Sequence, residues 1–231
     1  DNILYAVLFG FRDADKEVMP GDDALVEVAK QEIEALNKKY PAGRNTFHVF
    51  YRKRRWNDKE GKKAFWHSTS HVMAQALEEL YPGIKLTLGP AIDNGFYYDV
   101  DFGDQKITEA DFKKVEDRVL EISREKHEFK MRPVSKAEAL SIYKDNEYKT
   151  ELISNLEDGT ITFCDHSNFF DLCRGGHIPN TSIIKAMKIL SVAGAYWRGD
   201  EKNKQLTRVY GISFPKQKDL TDYLELLEEA K

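Results

Sequence analysis

His67-x-x-x-His71 and Cys173-x-x-x-His177 are two short runs that hold three of the six histidines and one of the two cysteines of this 231-residue chain. On a helix, residues four apart share a face, so His67 and His71 can point into one pocket while Cys173 and His177 approach from a distant part of the sequence. Imidazole and thiolate are both good zinc ligands at about 2.0–2.3 Å, so the four could form a tetrahedral metal set. The Glu that zinc hydrolases carry inside His-Glu-x-x-His is missing, because Ser68, Thr69 and Ser70 fill the gap, which speaks against a metalloprotease. The same groups suit metal-free ester hydrolysis, in which one imidazole activates water and a second polar group protonates the leaving hydroxyl. A thiol nucleophile at Cys173 paired with a histidine is a third chemistry, without a surrounding sequence that identifies a cysteine hydrolase. The spacings alone are also compatible with core or surface residues that share no chemistry.

The elements that must position these groups are legible in outline. A helix is expected from about Phe65 to Leu80, with Val72, Ala76 and Leu80 on an apolar stripe and Pro82-Gly83 closing it. His67 then lies near the helix N-terminus, where the macrodipole disfavours a protonated imidazole. Ile84 to Leu88 and Gly95 to Phe102 pattern as strands around Gly89-Pro90-Ala91-Ile92-Asp93-Asn94-Gly95, with Phe96, Tyr97 and Tyr98 alternating sides. Thr108 to Lys126 patterns as a helix with Thr108 and Asp111 in capping-box style. A strand near Phe129 to Val134, a helix near Lys136 to Tyr143 and strands at Ile161 to Cys164 and Phe169 to Cys173 follow. Ile189 to Trp197 and Gln205 to Phe214 form a hairpin pattern, and Lys216 to Ala230 an amphipathic helix. The glycines of Cys173-Arg174-Gly175-Gly176-His177 let the backbone come close to a ligand.

Residues 1–56 pattern as a β-α-β unit: strands at Ile3 to Phe11 and Thr46 to Trp56, and a helix from Asp22 to Lys39. The charged stretch 58–64 is the expected junction to the rest. The fold class is therefore α+β, mixed helices around an antiparallel sheet preceded by a small β-α-β segment. A content of 41% hydrophobic and 32% charged residues is that of an ordinary globular protein. No apolar run approaches the ~20 residues of a membrane span, and the first residues carry no signal-peptide pattern, so the expectation is a cytoplasmic chain with no membrane partner. Cys164 and Cys173 are then expected to be reduced. A net charge of −4 disfavours nonspecific coating of nucleic acid. It leaves room for local basic surfaces, at Arg52 to Arg55 and at Arg198, Lys202, Lys204 and Arg208, whose plainer reading is a solvated face.

Four ordered blocks carry a resemblance: Phe65-Trp66-His67-Ser68-Thr69-Ser70-His71, Gly89 through Asp99, Asp171 through Asn180, and Ala193-Gly194-Ala195-Tyr196-Trp197-Arg198-Gly199-Asp200. From about Glu60 to the end the chain resembles the editing domain that precedes the catalytic core of bacterial threonyl-tRNA synthetases. The resemblance implies hydrolysis of serine mistakenly esterified to tRNA(Thr). Serine lacks one methyl group of threonine, and such a difference is worth only about 1–3 kcal/mol in a binding pocket, so a synthesis site needs a second site to clear its errors.

By that resemblance His67, His71, Cys173 and His177 line the hydrolytic pocket, and Lys149, Asp171 and Tyr98 match residues that orient water or substrate. His67 is then the group that activates water or relays its proton, Lys149 steadies water or developing negative charge, and Asp171 holds the substrate ammonium. Arg174, with Arg198 and Lys204, offers a phosphate path for the acceptor end of tRNA(Thr). No cofactor is expected to be required, because threonyl-type sites are thought to work without metal whereas alanyl-type relatives bind it. If zinc binds, its ligands are His67, His71, Cys173 and His177. Gly176 departs from the family, which usually has proline there.

Residues 1–57 instead resemble a glycosyltransferase segment of cyclic β-1,2-glucan synthases, through Leu8 to Ala14, Met19 to Leu25 and Phe47 to Asn57. The two resemblances meet near Asp58 to Lys62, which suggests a join between unrelated segments. The expected division is thus 1–57 of foreign origin, 58–64 as junction and 65–231 as editing domain. The chain ends before the synthetase's aminoacylation core, so editing is the activity expected, from a monomer. The alternatives are a non-catalytic tRNA-binding module and a sugar-transfer fragment defined by residues 1–57.

Overall fold

The computed structural model describes residues 3–10, 48–56 and 58–229, and of residues 3–10 and 48–55 the backbone only. β1 (Ile3–Gly10) and β2 (His48–Arg55) pair antiparallel from Ile3 opposite Arg55 to Gly10 opposite His48. The helix expected over Asp22 to Lys39 lies outside the described residues.

The first helix of the site, α1 (Lys59–Leu80), begins six residues before the expected start at Phe65 and takes in most of the 58–64 junction. Two causes are visible. Lys59, Glu60, Lys62 and Lys63 are good helix formers, and Asp58 stands at the N-cap. Trp56 also packs edge-on against Phe65, Trp66 and Phe214, which fixes the chain's approach to the core. His67 is consequently more than two turns inside the helix rather than near its end, and the macrodipole does not account for its protonation state.

A five-stranded antiparallel sheet runs β3 (Lys85–Leu86), β5 (Gly95–Asp101), β10 (Gln205–Phe214), β9 (Ala186–Tyr196), with β4 (Ala91–Ile92) on β5. Arg208 lies opposite Asp99 and Val209 opposite Tyr98 in the β10–β5 register. Against this sheet α1 buries Phe65, Met73, Ala76 and Leu77, which meet Phe96, Tyr98, Val100, Val209 and Ile212 in one core. α2 (Glu109–Arg124) adds Val115, Val119 and Ile122. Its start is capped as expected, Asp111 accepting from the Thr108 N–H at 2.9 Å and the Thr108 hydroxyl at 2.8 Å.

A three-stranded antiparallel sheet, β6 (Lys130–Pro133), β7 (Thr162–His166), β8 (Phe169–Leu172), carries Asp171 and leads into Cys173. Two short helices join its first two strands, α3 (Lys136–Ile142) and α4 (Glu147–Ser154). The second was not expected, and it bears Lys149. Its start is fixed by Asn146, whose side chain accepts from the Lys149 N–H at 3.1 Å and donates to the Leu86 carbonyl at 2.9 Å. A second core of Val134, Ala139, Ile153, Ile161 and Phe163 lies beneath this layer. α5 (Gln217–Glu229) completes the described chain.

Candidate active site

His67 and His71 do share a face of α1, and the loop after β8 brings Cys173 and His177 to them. The ligating atoms of the four side chains lie within 4.8 Å of one another. His71 Nε2 stands 3.2 Å from His67 Nε2, His67 Nε2 is 3.6 Å from Cys173 Sγ, and Cys173 Sγ is 3.0 Å from His177 Nε2.

Ser68, between the histidines, decides the state of His177. Its hydroxyl donates to the Ala64 carbonyl at 2.7 Å and accepts from the Ile178 N–H at 2.9 Å, so toward His177 Nδ1, at 3.2 Å, it is an acceptor. His177 therefore carries its proton on Nδ1 and turns the Nε2 lone pair to Cys173. Phe129 stacks on the His177 ring with an interplanar angle of 6° and fixes its plane. Burial pushes the Cys173 thiol up to about 12, so it is protonated at neutral pH and donates to His177 Nε2. A thiolate nucleophile is not what this environment prepares.

All three imidazoles are held neutral. Burial lowers His67, against the opposing pull of the Asp171 charge and a Gly175 backbone contact. Burial also lowers His71 and His177 well below the usual range, and the neighbouring imidazoles add to it. His71 Nδ1 has no hydrogen-bond partner among the described residues and faces Asp171 Oδ2 at 3.8 Å.

Lys149 and Asp171 form an ion pair in the interior, 1% and 3% exposed. Asp171 accepts from Lys149 Nζ and also from the Leu172 N–H at 2.8 Å, the Tyr98 hydroxyl at 2.5 Å and the Tyr143 hydroxyl at 3.5 Å. Lys149 Nζ makes a second contact, to the Tyr98 oxygen at 3.4 Å. Two of the three ammonium donors thus have partners.

That cavity, of about 330 Å³, is lined by His67, His71, Lys149, Asp171, Cys173 and Arg174 at its polar end and by Leu88, Pro90, Leu152, Leu156 and Leu172 elsewhere. Of the eight residues singled out in the sequence, these six line it, while His177 and Tyr98 stand behind as a supporting layer. Arg174 is exposed at the opening. The other two cations proposed for a phosphate path are engaged, Arg198 with Glu151 at 2.5 Å and Lys204 with Asp101 at 2.6 Å, and Arg208 of the same basic cluster pairs with Asp99 at 2.7 Å. Ser68, Phe129 and Tyr143 also serve the site, although nothing in the local sequence singles them out. A buried serine one residue after a candidate histidine is a weak signal, and the contacts of the other two cross distant parts of the chain.

Gly89 makes the floor possible. A Cβ there would sit 2.2 Å from Tyr98 Cδ2, so only glycine lets this backbone pass against the ring, and its carbonyl accepts from Ser70 Oγ at 2.6 Å. The Cys173–His177 turn uses two left-handed glycines, Gly175 at φ +94° and Gly176 at φ +86°. Proline cannot adopt the second value, so the turn as it stands here excludes proline at position 176.

The four converging groups fit zinc. Tetrahedral ligands at zinc bond lengths stand roughly 3.3–3.6 Å apart. Two of the contacts measured, at 3.2 and 3.6 Å, come near that spacing, while the 3.0 Å Cys173–His177 pair would have to open and the wider pairs, up to 4.8 Å, to close; Ser68 stands behind His177 as outer partners do in metal sites.

The sequence profile described as the threonyl and alanyl tRNA synthetase second additional domain matches residues 161–210. The chain is 86% identical over 176 residues to a threonine–tRNA ligase of Flavobacterium psychrophilum, an alignment covering 76% of the chain and 27% of the relative. Identity is 88% over 176 residues to the ligase of Flavobacterium johnsoniae, with 76% and 27% covered, and 63% over 179 residues to that of Parabacteroides distasonis, with 77% and 28% covered. The chain spans about a quarter of the length of these relatives. Over most of its own length it therefore matches, at high identity, the editing region of threonyl-tRNA synthetases, with the second additional domain shared with the alanyl enzymes at residues 161–210.

Proposed function

We propose that this region hydrolyses the aminoacyl ester of seryl-tRNA(Thr). The observation that carries the reading is the convergence of neutral imidazoles and a buried ammonium at one end of a cavity of about 330 Å³. His67, which lines the cavity and is only partly buried, takes the proton of the attacking water and returns it to the departing ribose oxygen as the ester C–O bond breaks. The ammonium of Lys149 stabilises the negative charge that develops on the ester carbonyl oxygen. Asp171, with four donors on its carboxylate, acts chiefly as the counterion that orients Lys149 and Tyr98, and its remaining Oδ2 lone pair is what it has to offer a substrate ammonium. His71, Cys173 and His177 hold His67 in place through the contacts given above. Arg174 takes a phosphate of the tRNA acceptor end at the cavity opening.

This chemistry requires no metal. Zinc, if bound by His67, His71, Cys173 and His177, would supply Lewis acidity toward the ester, and its binding would release the Cys173 proton. Metal analysis of the purified protein, with hydrolysis assayed before and after chelation, separates the two cases. We take residues 65–231, with α1 reaching back through 59–64, as the editing unit and 1–57 as a segment of separate origin, in a cytoplasmic protein. The direct test of the site is the pair His67→Ala and Lys149→Ala. Each is expected to lower hydrolysis of seryl-tRNA(Thr) by about 10²-fold or more, and unchanged hydrolysis in both would remove the assignment.

A further inference from the structure

The block Ala193 to Asp200 contributes no side chain to the cavity lining, yet it meets the helix that carries Lys149. α4 has eight residues, too few to be stable alone in water, so its position is set by what it packs against. Its inner side presents Lys149 and Ile153, both buried. Its outer side presents Tyr148, Glu151 and Leu152 to the tip of the β9–β10 hairpin. Trp197 Nε1 donates to Glu151 Oε2 at 2.7 Å, and Arg198 Nε meets Glu151 Oε1 at 2.5 Å, so both carboxylate oxygens are held from the hairpin. The Trp197 ring stands edge-on to Tyr148 at 5.1 Å, in a small core with Leu206 and Leu152, and the Tyr148 hydroxyl donates to Asp101 at 2.8 Å.

The tip is itself fixed. The Trp197 N–H donates to the Lys204 carbonyl at 3.0 Å, and Asn203 Nδ2 donates to the Trp197 carbonyl at 3.0 Å. Arg198 takes a left-handed backbone, φ 56°, that turns its side chain back to Glu151. Glu151 is two residues from Lys149 on the same short helix, so loss of the hairpin contacts loosens the segment that holds the ammonium in place.

We propose that Trp197 and Arg198, gripping Glu151, form a clamp that positions Lys149 for hydrolysis. They are positioning residues, and the catalytic consequence rests on the function proposed for Lys149 above. The test uses the whole chain with the variants Trp197→Phe, which keeps an aromatic ring over Tyr148 but loses the N–H, and Glu151→Ala, at a half-exposed position. Glu151→Gln, which keeps an acceptor for Trp197, is the conservative control. The first readout is acetylation of Lys149 by an amine-reactive acetylating reagent, quantified by mass spectrometry against exposed Lys218. Both disrupting variants are expected to raise Lys149 labelling about tenfold, the population change that follows loss of a charge-assisted hydrogen bond, with Lys218 unchanged and Glu151→Gln, which keeps the Trp197 acceptor but loses the Arg198 ion pair, between the parent and Glu151→Ala.

The second readout is seryl-tRNA(Thr) hydrolysis. A fall in kcat of about tenfold or more is expected at unchanged KM, and it should vanish in a Lys149→Ala background because the clamp acts through that residue. Labelling unchanged in both disrupting variants overturns the proposal, as does a loss of hydrolysis that adds in full to that of Lys149→Ala. Raised labelling in a chain that never hydrolyses seryl-tRNA(Thr) would leave the clamp standing and overturn the proposed function instead.

Discussion

Replacing Asp171 by Asn tests the interior of the site at its most sensitive point. Lys149 is 1% exposed and Asp171 3%, so Asp171→Asn leaves an ammonium out of water with the Tyr98 oxygen and a neutral amide in place of its hydrogen-bonded counterion. Breaking a buried ion pair by removing one partner costs about 3–5 kcal/mol, because the remaining charge keeps its desolvation penalty without compensation. A domain of this size loses about 2–4 °C in Tm per kcal/mol, so the expected fall is about 6–20 °C. Lys149→Met should cost a similar amount by stranding the carboxylate. The double variant, with no stranded charge, should recover at least about 2 kcal/mol of the summed losses. Urea denaturation followed by tryptophan fluorescence, with calorimetry for Tm, reads all three variants. A single-variant cost below about 1 kcal/mol, or a double variant equal to the sum of the singles, would refute the description of this pair as buried and mutually compensating.

Ser68→Ala should strand the Ile178 N–H and release His177 from its tautomer, costing about 1–3 kcal/mol of stability and lowering hydrolysis, as denaturation and deacylation assays would show. Gly89→Ala drives a methyl into the Tyr98 ring, which its bond to Asp171 keeps from yielding, so a destabilisation of about 1–3 kcal/mol with reduced hydrolysis is expected. His166 is buried between Phe129 and Phe169, neither ring nitrogen has a partner among the described residues, and burial lowers it from 6.5 to about 4. The unfolded chain therefore binds the extra proton first as pH falls, and this residue's share of stability is lost between those two values at about 1.4 kcal/mol per pH unit. His166→Leu should flatten that slope in denaturation at pH 7, 6 and 5, and an unchanged slope would remove His166 as its source.

The sequence made the two chemical runs and most strands legible, because a four-residue spacing on a helix and a two-residue alternation on a strand are local properties. Thr108 and Asp111 announced their capping box for the same reason. The start of α1 was not legible: Trp56 settles it by packing on Phe65, Trp66 and Phe214, a contact that local propensity does not record. α4 is not legible locally, because Tyr148 and Leu152 are apolar toward a hairpin tip distant in sequence, while Lys149 looks like any exposed lysine until Asp171 is placed beside it. Lys149, Asp171 and Tyr98 entered through family resemblance, and the geometry then gave Asp171 a more internal role than holding a substrate ammonium. Gly176 is the reverse case: its φ of +86° gives the physical reason for a glycine there, which the sequence by itself does not show.

The most direct measurement is single-turnover deacylation of seryl-tRNA(Thr) and threonyl-tRNA(Thr) by this chain, alongside its Lys149→Ala variant. The account predicts release of serine well above the rate without protein and faster than release of threonine, with the Lys149→Ala variant reduced by about 10²-fold. Binding of both tRNAs without release of either amino acid, or release unaffected by loss of Lys149, would contradict it.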